Sequence, residues 1–253
     1  MYDKHIRYLA SAFLNGGTLD VNSQELASLM QELSTKLNNV QMMPSIVQEE
    51  MPTGAVQRYA FLGIAGLWQW QIILASRFDV ARVATNPFGG SDLGSYDDFC
   101  KQAAEALVLL LERFEKKPHR LAAVQEGFLA EMKVDETTAV AHRLMNFGQT
   151  YKDHALTEWD WRAVAQIPRQ LGDLEEPVNT ISTIKRIAGL SIRAGETSTT
   201  LPINRIRVDI DTNTLPSNTD ARFETEDVRG FFRQAIDWHQ QLTKELEALI
   251  LGK

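Results

Sequence analysis

Asp209-Ile210-Asp211-Thr212-Asn213 places oxygen-bearing side chains at every second position, as the opening of a calcium-binding loop does. The pattern then departs from such a loop. Its sixth position is Thr214, where the turn needs glycine, and its twelfth is Asp220, where a bidentate glutamate is expected. Read as a strand, the same tract with Arg205 and Arg207 gives one face of alternating charge. Arg205, Arg207, Asp209 and Asp211 can pair across strands or contact a partner. Glu158, Asp160 and Arg162 repeat that spacing beside Trp159 and Trp161. Two carboxylates near a guanidinium can do acid–base work where one is buried. Glu158, Asp160 and Asp209 are therefore the candidate acids if the chain is an enzyme.

Other chemistry is sparsely supplied. The five histidines are His5, His119, His142, His154 and His239, and none has His-x-His or His-x-x-x-His spacing. His239 adjoins an apolar helical stripe and is expected at a helix–sheet contact. Cys100 is the one cysteine, so no intrachain disulfide can form, which fits a reducing cytosol. Phe99 and Ala103 beside it, with no base nearby in sequence, point to a buried structural thiol. Gly16-Gly17 and Gly89-Gly90 lack the partners of a phosphate loop, and no Gly-x-Ser-x-Gly elbow occurs. No metal or cofactor is expected.

Trp68 with Trp70, and Trp159 with Trp161, form two Trp-x-Trp pairs. On a strand each pair puts two indoles on one face. Such a pair is core, a protein interface or the wall of a small-ligand pocket. Its neighbours here are Gln69, Gln71, Glu158 and Asp160, whereas platforms for nucleic-acid bases combine aromatics with basic residues. Core is the first reading of the pairs, and partner or ligand binding the second.

The elements that must position these residues follow from periodicity. Ile6, Tyr8 and Ala10 alternate with Arg7, Leu9 and Ser11 in a first strand that runs to Gly16-Gly17. Asn22 with Glu25 reads as a capping box, and Leu26, Leu29, Met30, Leu33 and Leu37 follow at helical spacing. Strands are predicted near 41–49, 56–63, 67–74 and 77–84, with connections short enough for antiparallel hairpins. Ser95 opens a second helix whose stripe runs from Phe99 to Phe114 and which Pro118 ends. The second half repeats the order: a strand over 120–132, a short helix over 135–147, extended runs near 155–170, 178–194 and 201–212, and a helix over 225–251. The closing helix carries Val228, Phe231, Phe232, Ala235, Trp238, Leu242, Leu246 and Leu249 on one stripe.

Both halves give α+β class, with helices on one face of antiparallel sheet. Residues 1–117 and 118–253 are the two halves, either separate or joined in one compact domain. Their shared order suggests an internal duplication. The net charge of −7 makes nucleic acid an unfavoured partner. No signal peptide is read in the first residues. The most apolar window, Phe61 to Ala75, is interrupted by Gln69 and Gln71 and is too short to span a membrane. A cytoplasmic protein is expected.

Asn204-Arg205-Ile206-Arg207-Val208-Asp209-Ile210-Asp211, with Phe231-Phe232 and Trp238-His239 in the closing helix, resembles the end of a sporadically distributed family of uncharacterised bacterial proteins. The resemblance covers the part from Asn204 onward. It implies a bacterial source and a patchily inherited accessory gene, and transfers no functional residues. The reading that results is a non-enzymatic protein that binds a protein partner, antitoxin-like or with an immunity or defence-accessory role, with homo-oligomers left open. A small-molecule sensor with a pocket between the halves is the first alternative, and an enzyme using the carboxylates above the second.

Overall fold

The computed structural model describes residues 1–15, 23–51, 54–193 and 199–252. The expected turn at Gly16-Gly17 and the Asn22 cap lie outside them. The first half comprises β1 (Lys4–Leu14), α1 (Ser23–Lys36), β2 (Met43–Met51), β3 (Gly54–Ala65), β4 (Trp68–Leu74), β5 (Arg77–Ala84) and α2 (Tyr96–Arg113). The second half comprises β6 (Pro118–Phe128), α3 (Val134–Leu144), α4 (Gln149–Lys152), β7 (Asp160–Leu171), β8 (Leu174–Arg193), β9 (Thr199–Thr214) and α5 (Thr225–Leu251).

The nine described strands join one antiparallel sheet in the order β2-β3-β4-β5-β1-β6-β9-β8-β7. The halves meet where β1 pairs β6, with Ala10 opposite Ala123. A bulge between His5 and Arg7 bends β1 there. Gly127 sits opposite it because a Cβ would lie 2.7 Å from the Lys4 carbonyl oxygen. In each half the first strand pairs the last strand of the following meander, β1 with β5 and β6 with β9.

The helices cover one face of this sheet. Tyr8, Ala10, Ala12 and Leu14 of β1 point into that layer, as do Trp70, Ile72 and Leu74 of β4 and Phe78 and Val80 of β5. Leu29 and Leu33 of α1, Phe99, Ala103, Leu107, Leu110 and Leu111 of α2, and Val228, Phe231, Phe232 and Ala235 of α5 close over them. A second cluster joins Ile206, Val208 and Ile210 of β9 to Val140 of α3 and to Leu246 and Ile250 of α5. Ser95 caps α2, its hydroxyl accepting from the Asp98 amide, and Gly252 in the left-handed region ends α5.

Several boundaries differ from the periodicity. The strand expected to reach Met132 ends at Phe128. There the chain turns off the sheet, and Leu129 and Met132 bond only singly to β9 carbonyls. Residues 149–152 form a four-residue helix that no stripe announces. No described helix is long and apolar enough to cross a membrane.

Candidate functional site

Strand register assigns every side chain to a face. The pairs Tyr8–Arg82, Trp70–Arg82, Ala10–Val80 and Ile72–Val80 lie under the helices. Leu9–Ala81, Gln69–Val83, Ser11–Asp79 and Leu9–Val124 lie on the opposite face. No described helix packs on this second face. Its two sides differ in chemistry.

From β1 toward β2 the open face carries an apolar field, with the Arg77–Asp79 ion pair of β5 at its end away from Ile64. Leu9, Val83, Ile73 and Leu62 lie across adjacent strands, with Gln69 and Gln71 between them and half-exposed Ser45 beyond. At one end stand Ile64, 61% exposed, Leu67, 75% exposed, and Phe88, 68% exposed. The Leu67 carbonyl takes the Thr85 amide, which brings the β3–β4 turn to the segment leading to Phe88. These three large apolar side chains stand exposed together at one end of the uncovered face.

From β6 toward β7 the same face is charged. Glu126 is buried between two arginines: Arg7 of β1 donates to its Oε1, and Arg207 Nη2 lies 3.1 Å from its Oε2. Arg207 Nε also donates to Asp209 Oδ1 at 2.7 Å. Arg205 pairs with Asp3 at 2.9 Å, its guanidinium 5.7 Å from the Phe128 ring centre. Asp211 Oδ1 accepts from Asn213 at 2.9 Å, and Asn213 Oδ1 accepts from Arg120 and Asn179, each at 3.2 Å. Burial raises the carboxyls of Asp209 and Asp211 above the ordinary range, while the Arg207 and Asn213 bonds hold them back. Arg120 and Arg77 both lie over Phe13, at 4.5 and 5.6 Å from its ring centre.

Arg205, Arg207, Asp209 and Asp211 thus come together on the open face as their alternation indicates. The tryptophans do not join them. Trp68 and Trp70 lie on the helix side of β4, edge to face with ring centres 5.8 Å apart. Trp70 is buried against Phe99 of α2. Trp159, just before β7, is buried, and Trp161 packs partly covered beside it. Counted outward from the β1–β6 seam, the first pair is on the third strand and the second on the fourth. The pairs are therefore not at equivalent places in the two halves.

The three candidate carboxylates do not converge. Asp160 on β7 faces Lys185 of β8, Asp209 on β9 faces Thr183, and β8 separates them. Glu158 precedes β7 and is exposed. Asp209, Asp211 and Asn213 line one strand rather than a loop. Among the described residues no three His, Cys, Asp or Glu side chains group as metal ligands.

Sequence spacing misses a polar cluster under the helices. Arg82 is buried beneath α2, its guanidinium 5.0 Å from the Trp68 ring centre and 4.6 Å from that of Trp70. It donates to the Leu93 carbonyl at 3.0 Å and to Gln102 Oε1 at 2.8 Å. His239 of α5 stacks on Tyr96, and its Nε2 lies 3.1 Å from Thr212 Oγ1 on β9. Burial pushes the His239 imidazole down to about 3, against a hydrogen bond with the Ala123 backbone that pulls the other way. Burial likewise pushes His5 down to about 4 and the Cys100 thiol up to about 12. These groups are neutral near pH 7, which suits a structural network better than a nucleophile and base. A cleft of about 310 Å³ opens beside them at the seam, lined by Ser95, Tyr96, Asp97, Gln125, His239, Gln240, Thr243 and Lys244.

Compared with known families, curated proteins and solved structures, the chain matches none.

Proposed function

We propose that this protein works by binding a protein partner on the open face of its sheet, without catalysis. The observation that supports this reading is the division of that face. An apolar field with Ile64, Leu67 and Phe88 at its rim adjoins an ordered lattice of arginines and carboxylates. Protein interfaces combine these two parts: a desolvated apolar patch supplies affinity, and fixed charges supply register and partner choice. A nucleic-acid backbone fits the face less well, because Glu126, Asp209 and Asp211 stand among its arginines.

The single buried cysteine suits a cytoplasmic setting, and the resemblance of the closing tract suits an antitoxin-like, immunity or defence-accessory role. The test is retention of a partner from the source cell on immobilised protein, comparing wild type with Leu62→Asp/Ile64→Lys and with Gln240→Lys on α5. The reading expects one partner retained by wild type and by Gln240→Lys and lost with the double variant while its circular dichroism is unchanged. Equal retention by all three contradicts it.

A second reading, a small-molecule sensor, draws support from the seam cleft, which both halves line. None of the four paired tryptophans lines that cleft. A bound ligand would therefore be reported by Tyr96 and His239 rather than by indole quenching.

A further inference from the structure

The sheet has two edges, and β7 is one of them. Along Arg162–Gln166 every side chain is exposed, on both faces of the sheet. Ala163, Val164 and Ala165 sit there uncovered, with Val164 49% exposed. The cover on β7 lies at its two ends: Trp161 packs against the second core cluster, and at the other end Leu171 is buried, Gln234 of α5 donates to the Gln170 carbonyl and Arg169 lies over Trp238.

The backbone of this edge can be assigned. Gly172, with φ of 59°, and Asp173 form a two-residue hairpin turn between Leu171 and Leu174. Such a turn closes on a hydrogen-bonded pair. Alternation then makes Pro168 opposite Pro177 a non-hydrogen-bonded pair, the place where two prolines cost the hairpin no bond. Residues 160, 162, 164, 166 and 168 therefore turn their backbone groups away from β8. Except at Pro168, each offers both an N–H and a C=O to a further strand. Proteins usually protect such an edge with charge, brevity or a covering element. Over Ala163–Gln166 none of the three is found among the described residues.

We infer that β7 is the dimer contact of this protein: two copies pair antiparallel, edge to edge, about a two-fold axis through Val164. The strand is self-complementary in that register. Trp161 faces Ile167 and Ala163 faces Ala165 on the helix side. Arg162 faces Gln166, Asp160 faces Pro168 and Val164 faces itself on the open side. No charge opposes a like charge. Sliding the strands two residues toward the hairpin sets Trp161 against Arg169, which is already committed to the Trp238 ring. Sliding them the other way sets Trp161 against Ala165 and shortens the overlap. The axis runs perpendicular to the sheet, so both open faces point the same way and the dimer presents two docking faces to one side. The dimer stands independently of what those faces bind.

Light scattering during gel filtration of the full chain at about 50 µM, with Val164→Lys, Val164→Cys and Ala163→Cys alongside, tests this. The dimer predicts twice the 28.5 kDa chain mass for wild type. It predicts chain mass for Val164→Lys, whose lysines would face each other on the axis and weaken association at least about tenfold. Mild oxidation should cross-link Val164→Cys, because a cross-strand pair is within disulfide reach, and should leave Ala163→Cys uncoupled. Chain mass for wild type, or a dimer that Val164→Lys leaves intact, overturns the contact. A dimer without the Val164→Cys cross-link overturns the register.

Discussion

The phenol ring of Tyr96 lies flat on the imidazole of His239, centres 4.7 Å apart and planes 16° from parallel. Tyr96 begins α2 in the first half and His239 belongs to α5 in the second, so this stack joins the halves above the β1–β6 seam. Thr212 of β9 holds the imidazole from below. The folded state keeps His239 neutral, and it does the same for His5.

Acid should therefore destabilise the protein well above the carboxylate range. An unfolded histidine binds its proton below about 6.5. The folded chain refuses it until about 4 at His5 and about 3 at His239. The unfolded state thus binds more protons as pH falls from 6.5, and stability drops by up to about 1.4 kcal/mol per pH unit for each histidine. Above 6.5 the contribution is fully present. Asp209 and Asp211, whose carboxyls are raised, act in the opposite direction but nearer the carboxylate range. Urea unfolding between pH 7 and 5 should show this slope, and His239→Gln should remove about half of it.

Arg82 should be costly to lose although no carboxylate pairs with it among the described residues. Its guanidinium is held by two indoles, a carbonyl and an amide oxygen beneath α2. Arg82→Ala leaves those acceptors without a donor and opens space beside Trp70. A loss of about 3 kcal/mol is expected in denaturant unfolding, with a shift in tryptophan emission.

Glu126 is the hinge of the charged half of the open face. Glu126→Ala leaves Arg7 and Arg207 facing each other across β6, with Asp209 the remaining acceptor. A destabilisation of about 1–3 kcal/mol is expected. A double-mutant cycle with Arg207→Ala should return a coupling energy well above that of an exposed pair.

Periodicity carried much of this fold. Ile206, Val208 and Ile210 separated cleanly from Arg205, Arg207, Asp209 and Asp211 because β9 is half-buried. The stripe from Val228 to Leu249 located α5 for the same reason, although Leu249 is exposed and Ile250 is buried in its place. β3 was harder to assign to faces. Tyr59 and Phe61 on one side and Leu62 and Ile64 on the other are all apolar, so alternation does not say which side is open. The Tyr96–His239 stack was illegible, since α2 and α5 come from different halves and meet only once β1 pairs β6. The Trp-x-Trp spacing showed that each pair shares a face, but not that the face lies under the helices.

Site-specific photo-crosslinking in the source cell tests the open face as the docking surface most directly. A photoreactive residue replacing Ile64 should capture a protein partner, and one replacing Gln240 on α5 should not. Capture from α5 alone, or none from Ile64 in a folded protein, would contradict the account.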